Sequence, residues 1–219
     1  MEKRFRRILK LFNKIFNEDK EVMLNVSNKM VDSVGGLTTV INGVYHVLIY
    51  KNSIAFRIFN NNRAKRIMAE NTILSHEISH VYCTDIEVFY DLTPTEAILW
   101  NSLEDFRVDY ITDIMVMKGH RIRMMTILYN IYTLIEMVGS QNIILNEDML
   151  NLVTIPTYLN NYIMFGKYPN DRIRDILDHY KVEIFNNPFN KDIVMKYIKI
   201  LKDFTPEISH SEYMSMMFS

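Results

Sequence analysis

The chain has 219 residues, of which 48% are hydrophobic, and its 25 basic and 26 acidic residues leave a net charge of −1. That length fits one domain with a small appended subdomain and is enough for a substantial core. Balanced charge makes no global electrostatic case for nucleic acid or anionic membrane, a single cysteine excludes an internal disulfide framework, and no apolar run reaches the length of a membrane span.

Residues 2–17 read as a basic amphipathic helix. Phe5, Ile8, Leu9, Phe12, Ile15 and Phe16 form its apolar face, and Lys3, Arg4, Arg6, Arg7, Lys10 and Lys14 crowd the rest. Its readings are membrane-surface contact, docking on a larger assembly, a covering arm over a cleft, or an ordinary helix packed on its own domain. A second helix is expected over 19–34, broken by Gly35-Gly36. Three strands are expected next, at 37–41, 44–50 and 54–59. Asn42-Gly43 is a two-residue hairpin signal between the first pair, and Lys51-Asn52-Ser53 a looser turn between the second.

A helix starting near Asn62 or Arg63 then carries His76-Glu77-Ile78-Ser79-His80, an H-E-x-x-H motif. Histidines four positions apart lie one turn apart on one helix face, so both imidazoles can reach one metal ion. Glu77 projects beside that face, where it can hold a water without ligating the metal. Two neutral nitrogens, a third ligand from elsewhere and a carboxylate to take a proton are what a zinc (Zn2+) hydrolase needs. Residues 71–75, with Val81 and Tyr82, carry no charge, proline or glycine, as expected of a buried helix that shows only its metal-binding groups to a cleft. Cys83 reads as a small buried residue at the helix end.

The third ligand must come from a segment that folds back over this helix. Asp85 and Glu87 lie where the helix should end and would need a sharp reversal. Glu104 is the better candidate. Thr93-Pro94-Thr95-Glu96 is a capping box with proline at the first helical position, and Lys118-Gly119 is a plausible stop. Between them, Leu99, Leu103 and Phe106 keep helical spacing, and Asn101, Glu104 and Val108 share a stripe with Asp105 beside it.

These residues carry a family resemblance. H-E-x-x-H is the motif of the zincin metalloproteases. The metzincin branch needs Gly at 83 and His or Asp at 86, and Cys83 and Ile86 exclude it. A helical glutamate some two dozen residues after the motif resembles the gluzincin metallopeptidases. The run Asn101-Ser102-Leu103-Glu104-Asp105-Phe106-Arg107 is similar to the N-x-x-E-D-x-R signature of metallopeptidase domains in bacteria and their phages. The resemblance covers roughly 60–118. It implies a zincin-like fold, zinc held by His76, His80 and Glu104, and Glu77 as the catalytic base. The thermolysin form of the group has an aspartate four residues after the glutamate, whereas this chain has Val108. The carboxylate that orients a zinc-bound histidine would then be Asp105, Asp109 or another group. In that family an edge strand pairs with extended substrate.

Beyond Gly119 the pattern is helical, at about 121–138, 147–164 with Pro156 inside, 170–183, 190–203 and a short piece after Pro206. His120, His179, His210, Tyr110 and Tyr180 are candidates to stabilise an oxyanion.

The expected architecture is α+β: a small antiparallel meander packed on the H-E-x-x-H helix, then a mostly helical C-terminal half. The regions are a helical arm over 1–34, a catalytic core over 35–120 and a helical subdomain over 121–219. The expected function is a zinc metallopeptidase acting on a peptide or protein substrate, with the basic N-terminal helix available for docking to a larger assembly. The alternatives are a zincin-fold structural or interaction protein, such as a virion component, and hydrolysis of a non-protein amide or ester. A nucleic-acid enzyme is least favoured, since basic residues cluster only at the N-terminus. Abundant Asn, Ile, Lys, Met, Tyr and Phe suggest an AT-rich genome, that of a bacteriophage or a low-GC bacterium. No secretory signal is seen, so a cytoplasmic or virion-associated setting is expected.

Overall fold

The computed structural model describes residues 1–31, 35–116, 119, 147–161 and 167–213. Helix α1 (Glu2–Phe16) buries Phe5, Ile8 and Phe12 and ends at Asn17, whose left-handed φ of 53° lets its N–H reach the Asn13 carbonyl. The second helix expected over 19–34 is not formed in the described part, 19–31, which carries strand β1 (Val22–Val31) instead. Val22, Val26 and Met30 satisfy a helical period, but Val22 and Leu24 also alternate as a strand does, and pairing with a distant segment decides between the two.

Strand β2 (Gly36–Ile41) and strand β3 (Val44–Ser53) form the expected hairpin. Asn42 and Gly43 both take positive φ, 52° and 78°, as its two-residue turn requires. β1 lies parallel to β3 on the other side, with Val22 opposite Tyr45 and Ser27 opposite Tyr50, so the sheet is mixed, in the order β1-β3-β2. The expected third meander strand is absent. Ile54–Arg57 is instead a short helix, α2, following the buried Ser53 and pressing Ala55 and Phe56 into the core. A short continuous apolar run fits either element, and here burial on one side favours the helix.

Helix α3 (Arg63–Cys83) starts where expected, with the Asn62 side chain accepting the Lys65 N–H at 3.0 Å. A 3-10 helix (Ile86–Asp91) then leads to helix α4 (Pro94–Met115), whose capping box has both halves formed. Of the C-terminal helices, the one expected over 121–138 lies outside the described residues. The others are α5 (Glu147–Leu159, containing Pro156), α6 (Asp171–Asn186) and α7 (Asp192–Leu201), with one helical turn at 210–213. None of the described helices is long and apolar enough to cross a membrane.

Among the described residues two large apolar clusters result, with a small third one of Cys83, Val108 and Ile111 between α3 and α4. One joins α1, the sheet, α2 and α3 through Phe12, Val47, Ile49, Phe56, Ile73 and Ile78. The other joins α4 to α5–α7 through Leu103, Phe106, Leu152, Leu177, Tyr180 and Tyr197. Burying one such side chain contributes roughly 1.5–3 kcal/mol. Helices α3 and α4 pack together where the clusters meet, fastened by a buried hydrogen bond of 2.5 Å between the Ser79 and Thr112 hydroxyls. The motif lies along that seam.

Candidate metal centre

His76 and His80 lie one turn apart on α3, with Nε2 atoms 3.1 Å apart. Asp105 reaches them from α4, its Oδ1 lying 3.2 Å from His80 Nε2 and 3.6 Å from His76 Nε2. Bond lengths of about 2.0–2.2 Å to a tetrahedral zinc place its ligand atoms roughly 3.3 Å apart. The spacing therefore fits one metal ion, and two imidazoles with a carboxylate form a donor set that suits zinc.

The surrounding hydrogen bonds settle which atoms face inward. His76 Nδ1 lies 2.8 Å from Oδ1 of Asp109, a buried carboxylate that can only accept, so His76 carries a proton on Nδ1. His80 Nδ1 lies 2.9 Å from the Thr84 hydroxyl, whose own proton goes to Glu104 Oε1 at 2.6 Å. Thr84 therefore accepts from His80, and His80 also carries its proton on Nδ1. Both Nε2 lone pairs then converge with an Asp105 oxygen, three acceptors in close contact. A proton or a metal cation must lie among them.

Electrostatics point the same way. Burial works to lower the pKa of His76, but Asp109 and Asp105 raise it well above its usual value. Desolvation by its neighbours tends to raise the Asp105 pKa, yet the two imidazoles hold it below the ordinary carboxylate range. The group is partly open: the Asp105 side chain is 33% exposed and that of His76 14%.

Glu77 is buried beside the two histidines. Its carboxylate rests on β2, where Oε2 accepts the Thr38 hydroxyl at 2.7 Å, and the same hydroxyl lies 2.9 Å from the Glu77 carbonyl. Gly36 leaves room for it, since a Cβ there would stand 2.1 Å from Glu77 Oε1. Burial raises the Glu77 pKa against the opposing pull of His76 and His80. A carboxylate so placed takes up a proton more readily than an exposed one.

Glu104, the expected third ligand, is not among the converging atoms. It is 3% exposed and forms a two-pronged ion pair with Arg107, at 2.8 Å from Nε and 2.5 Å from Nη2. Arg107, 1% exposed, also donates to the carbonyls of Cys83 and Pro188. A fully buried guanidinium needs a carboxylate, and Glu104 supplies it. Adjacent helical residues point about 100° apart, so Asp105 takes the position facing the histidines. The whole signature run is thereby accounted for: Asn101 donates to Asp105 Oδ2 at 3.2 Å, leaving Oδ1 for the imidazoles, while Glu104 holds Arg107. The missed sequence signal was a second i,i+4 pair, Asp105 and Asp109, facing the first.

The oxyanion candidates fall elsewhere. His179 is exposed and bonds the Asp175 carbonyl, Tyr180 is buried and donates to the Leu103 carbonyl, Tyr110 packs on Phe185, and His210 packs on Tyr213. His120 lies outside the described residues. Cys83 is buried, and burial pushes its thiol up to about 12, which makes it inert. Comparison with protein-family models, curated proteins and solved structures returns no match to this chain.

Proposed function

We propose that the protein is a zinc-dependent metallopeptidase of zincin type. The metal would be held by His76, His80 and Asp105, with Glu77 as general base. One observation carries this reading: the three inward-facing acceptor atoms of His76, His80 and Asp105, spaced for a single ion, with both imidazoles fixed in the same tautomer. The resemblance to gluzincins supports it with a shift of one residue. Asp109 follows Asp105 by four positions, the spacing that Glu104 and Val108 fail to provide.

Zinc bound there would supply Lewis acidity, making water acidic enough to ionise near neutral pH and polarising a peptide carbonyl. Glu77 would take the proton from the attacking water and pass it to the leaving amine. Asp109 and Thr84 would fix the imidazole rings, and the protonated Nδ1 atoms would keep both Nε2 lone pairs available. Strand β2 packs over Glu77 with one side paired to β3, which suits an extended chain laid along its other side.

The alternative, an interaction protein with a structural metal, needs a fourth protein ligand. Among the described residues the group comprises three. The test is zinc content and cleavage of β-casein by wild type and Glu77→Gln. The proposal expects near-stoichiometric zinc in both and cleavage only in wild type. No zinc uptake, or full cleavage by Glu77→Gln, overturns it.

A further inference from the structure

The cationic face of α1 serves neither the fold nor the candidate metal centre. Phe5, Ile8 and Phe12 anchor the helix against α3, which fixes the direction of its opposite face. At 100° per residue, Lys3, Arg7, Lys10 and Lys14 fall within an arc of about 60°, diametrically across from Phe5 and Phe12. All four are exposed. Nearby carboxylates are committed elsewhere: Glu2 pairs with Arg6, and Glu70 with Arg4 and the Met1 amino group. Among the described residues none pairs with these four. In a chain of net charge −1 the stripe is a local concentration of positive charge.

A second feature lies along the stripe. Leu11 is 40% exposed, and with Ile8 it floors a shallow hollow of about 410 Å³ bordered by Arg7, Lys10 and Lys14. An apolar floor with a cationic rim matches an amphiphile with an anionic head. A phosphate backbone would use the charges but not the floor. The stripe also offers no aromatic, amide or hydroxyl side chain to stack on or read a base.

We propose that α1 docks the protein on an anionic lipid surface. Lys3, Arg7, Lys10 and Lys14 lie among the headgroups, and Leu11 inserts at the acyl boundary. The buried side of α1 stays in the core, so attachment is peripheral, reversible and weakened by salt.

The test is cosedimentation of the full chain with phosphatidylcholine vesicles, with and without phosphatidylglycerol. Binding should be about tenfold tighter to the anionic vesicles and should fall as salt rises. Lys10→Gln with Lys14→Gln should remove most of that preference. Leu11→Ser should weaken binding while leaving the salt dependence in place. Lys65→Gln with Lys199→Gln, equal in charge but off the stripe, should change nothing, and circular dichroism should show all variants folded. Equal binding to both vesicle types, or equal loss from the off-stripe pair, overturns the proposal. Tighter binding to a mixed-sequence DNA duplex than to the anionic vesicles at the same salt would also overturn it and assign the stripe to nucleic acid.

Discussion

Asp109 holds His76 from the side opposite the converging Nε2 atoms, its Oδ1 lying 2.8 Å from His76 Nδ1, one turn beyond Asp105 on the same helix. One helix thus supplies both a ligand candidate and the group that aims another. Removing such an outer carboxylate typically lowers metal affinity 10–100-fold, about 1.4–2.7 kcal/mol. Asp109→Ala is expected to lose zinc affinity in that range, measured by competition with a chromophoric chelator. Wild-type affinity in this variant would remove Asp109 from the centre.

Glu104 and Asp105 are neighbours with opposite assignments, and two substitutions separate them. Asp105→Ala should abolish tight zinc binding with little loss of stability, since the side chain is one-third exposed. Glu104→Gln should keep zinc but destabilise the fold by about 3–5 kcal/mol, because Arg107 would remain buried without its carboxylate. Zinc content and urea denaturation read the two effects independently. The reverse pattern would return the ligand role to Glu104.

That pair also marks how far the sequence carries. Signals confined to a few residues, such as Asn42-Gly43 for the hairpin and Thr93 with Glu96 for the start of α4, are legible because their hydrogen bonds are local. The motif fixes His76 and His80 for the same reason. The facing element is harder to read, because one residue of helix is about 100° of rotation and the phase of α4 depends on where Arg107 is buried, against the carbonyls of Cys83 and Pro188. β1 is missed on similar grounds, since its partner β3 lies some twenty residues away and its own apolar spacing fits two periods. Thr38 carried no signal at all. Nothing local to a strand threonine announces a glutamate on a later helix.

Thr38 and Gly36 act together on Glu77, one by a hydrogen bond and the other by leaving space. Thr38→Val keeps the shape and removes the hydroxyl, whereas Thr38→Ser keeps the hydroxyl. If Glu77 is the base, turnover should fall at least about tenfold in the first and largely recover in the second, with zinc retained in both. Gly36→Ala should be more severe, as its Cβ would displace the carboxylate, at a cost of about 1–3 kcal/mol in stability. Unchanged turnover in Thr38→Val would show that Glu77 needs no anchoring from β2.

A metal ion held at this site would compete with protons for the same lone pairs, which fixes the sign of the expected pH dependence. The His76 pKa is raised in the folded protein by Asp109 and Asp105 against the effect of burial. Protonated His76 therefore stabilises the metal-free fold. That contribution is complete below about pH 6.5, the value in the unfolded chain, and is lost as pH rises through the higher folded value. With excess zinc the trend reverses, because each pH unit gained frees more Nε2 for the ion. Melting temperatures of wild type and His76→Gln, taken across this range in chelator and in zinc, isolate the histidine. The wild-type advantage should shrink with rising pH in chelator and grow with it in zinc. An advantage that grows with pH in chelator would mean that His76 is held neutral by its burial and that the three acceptors are reconciled some other way.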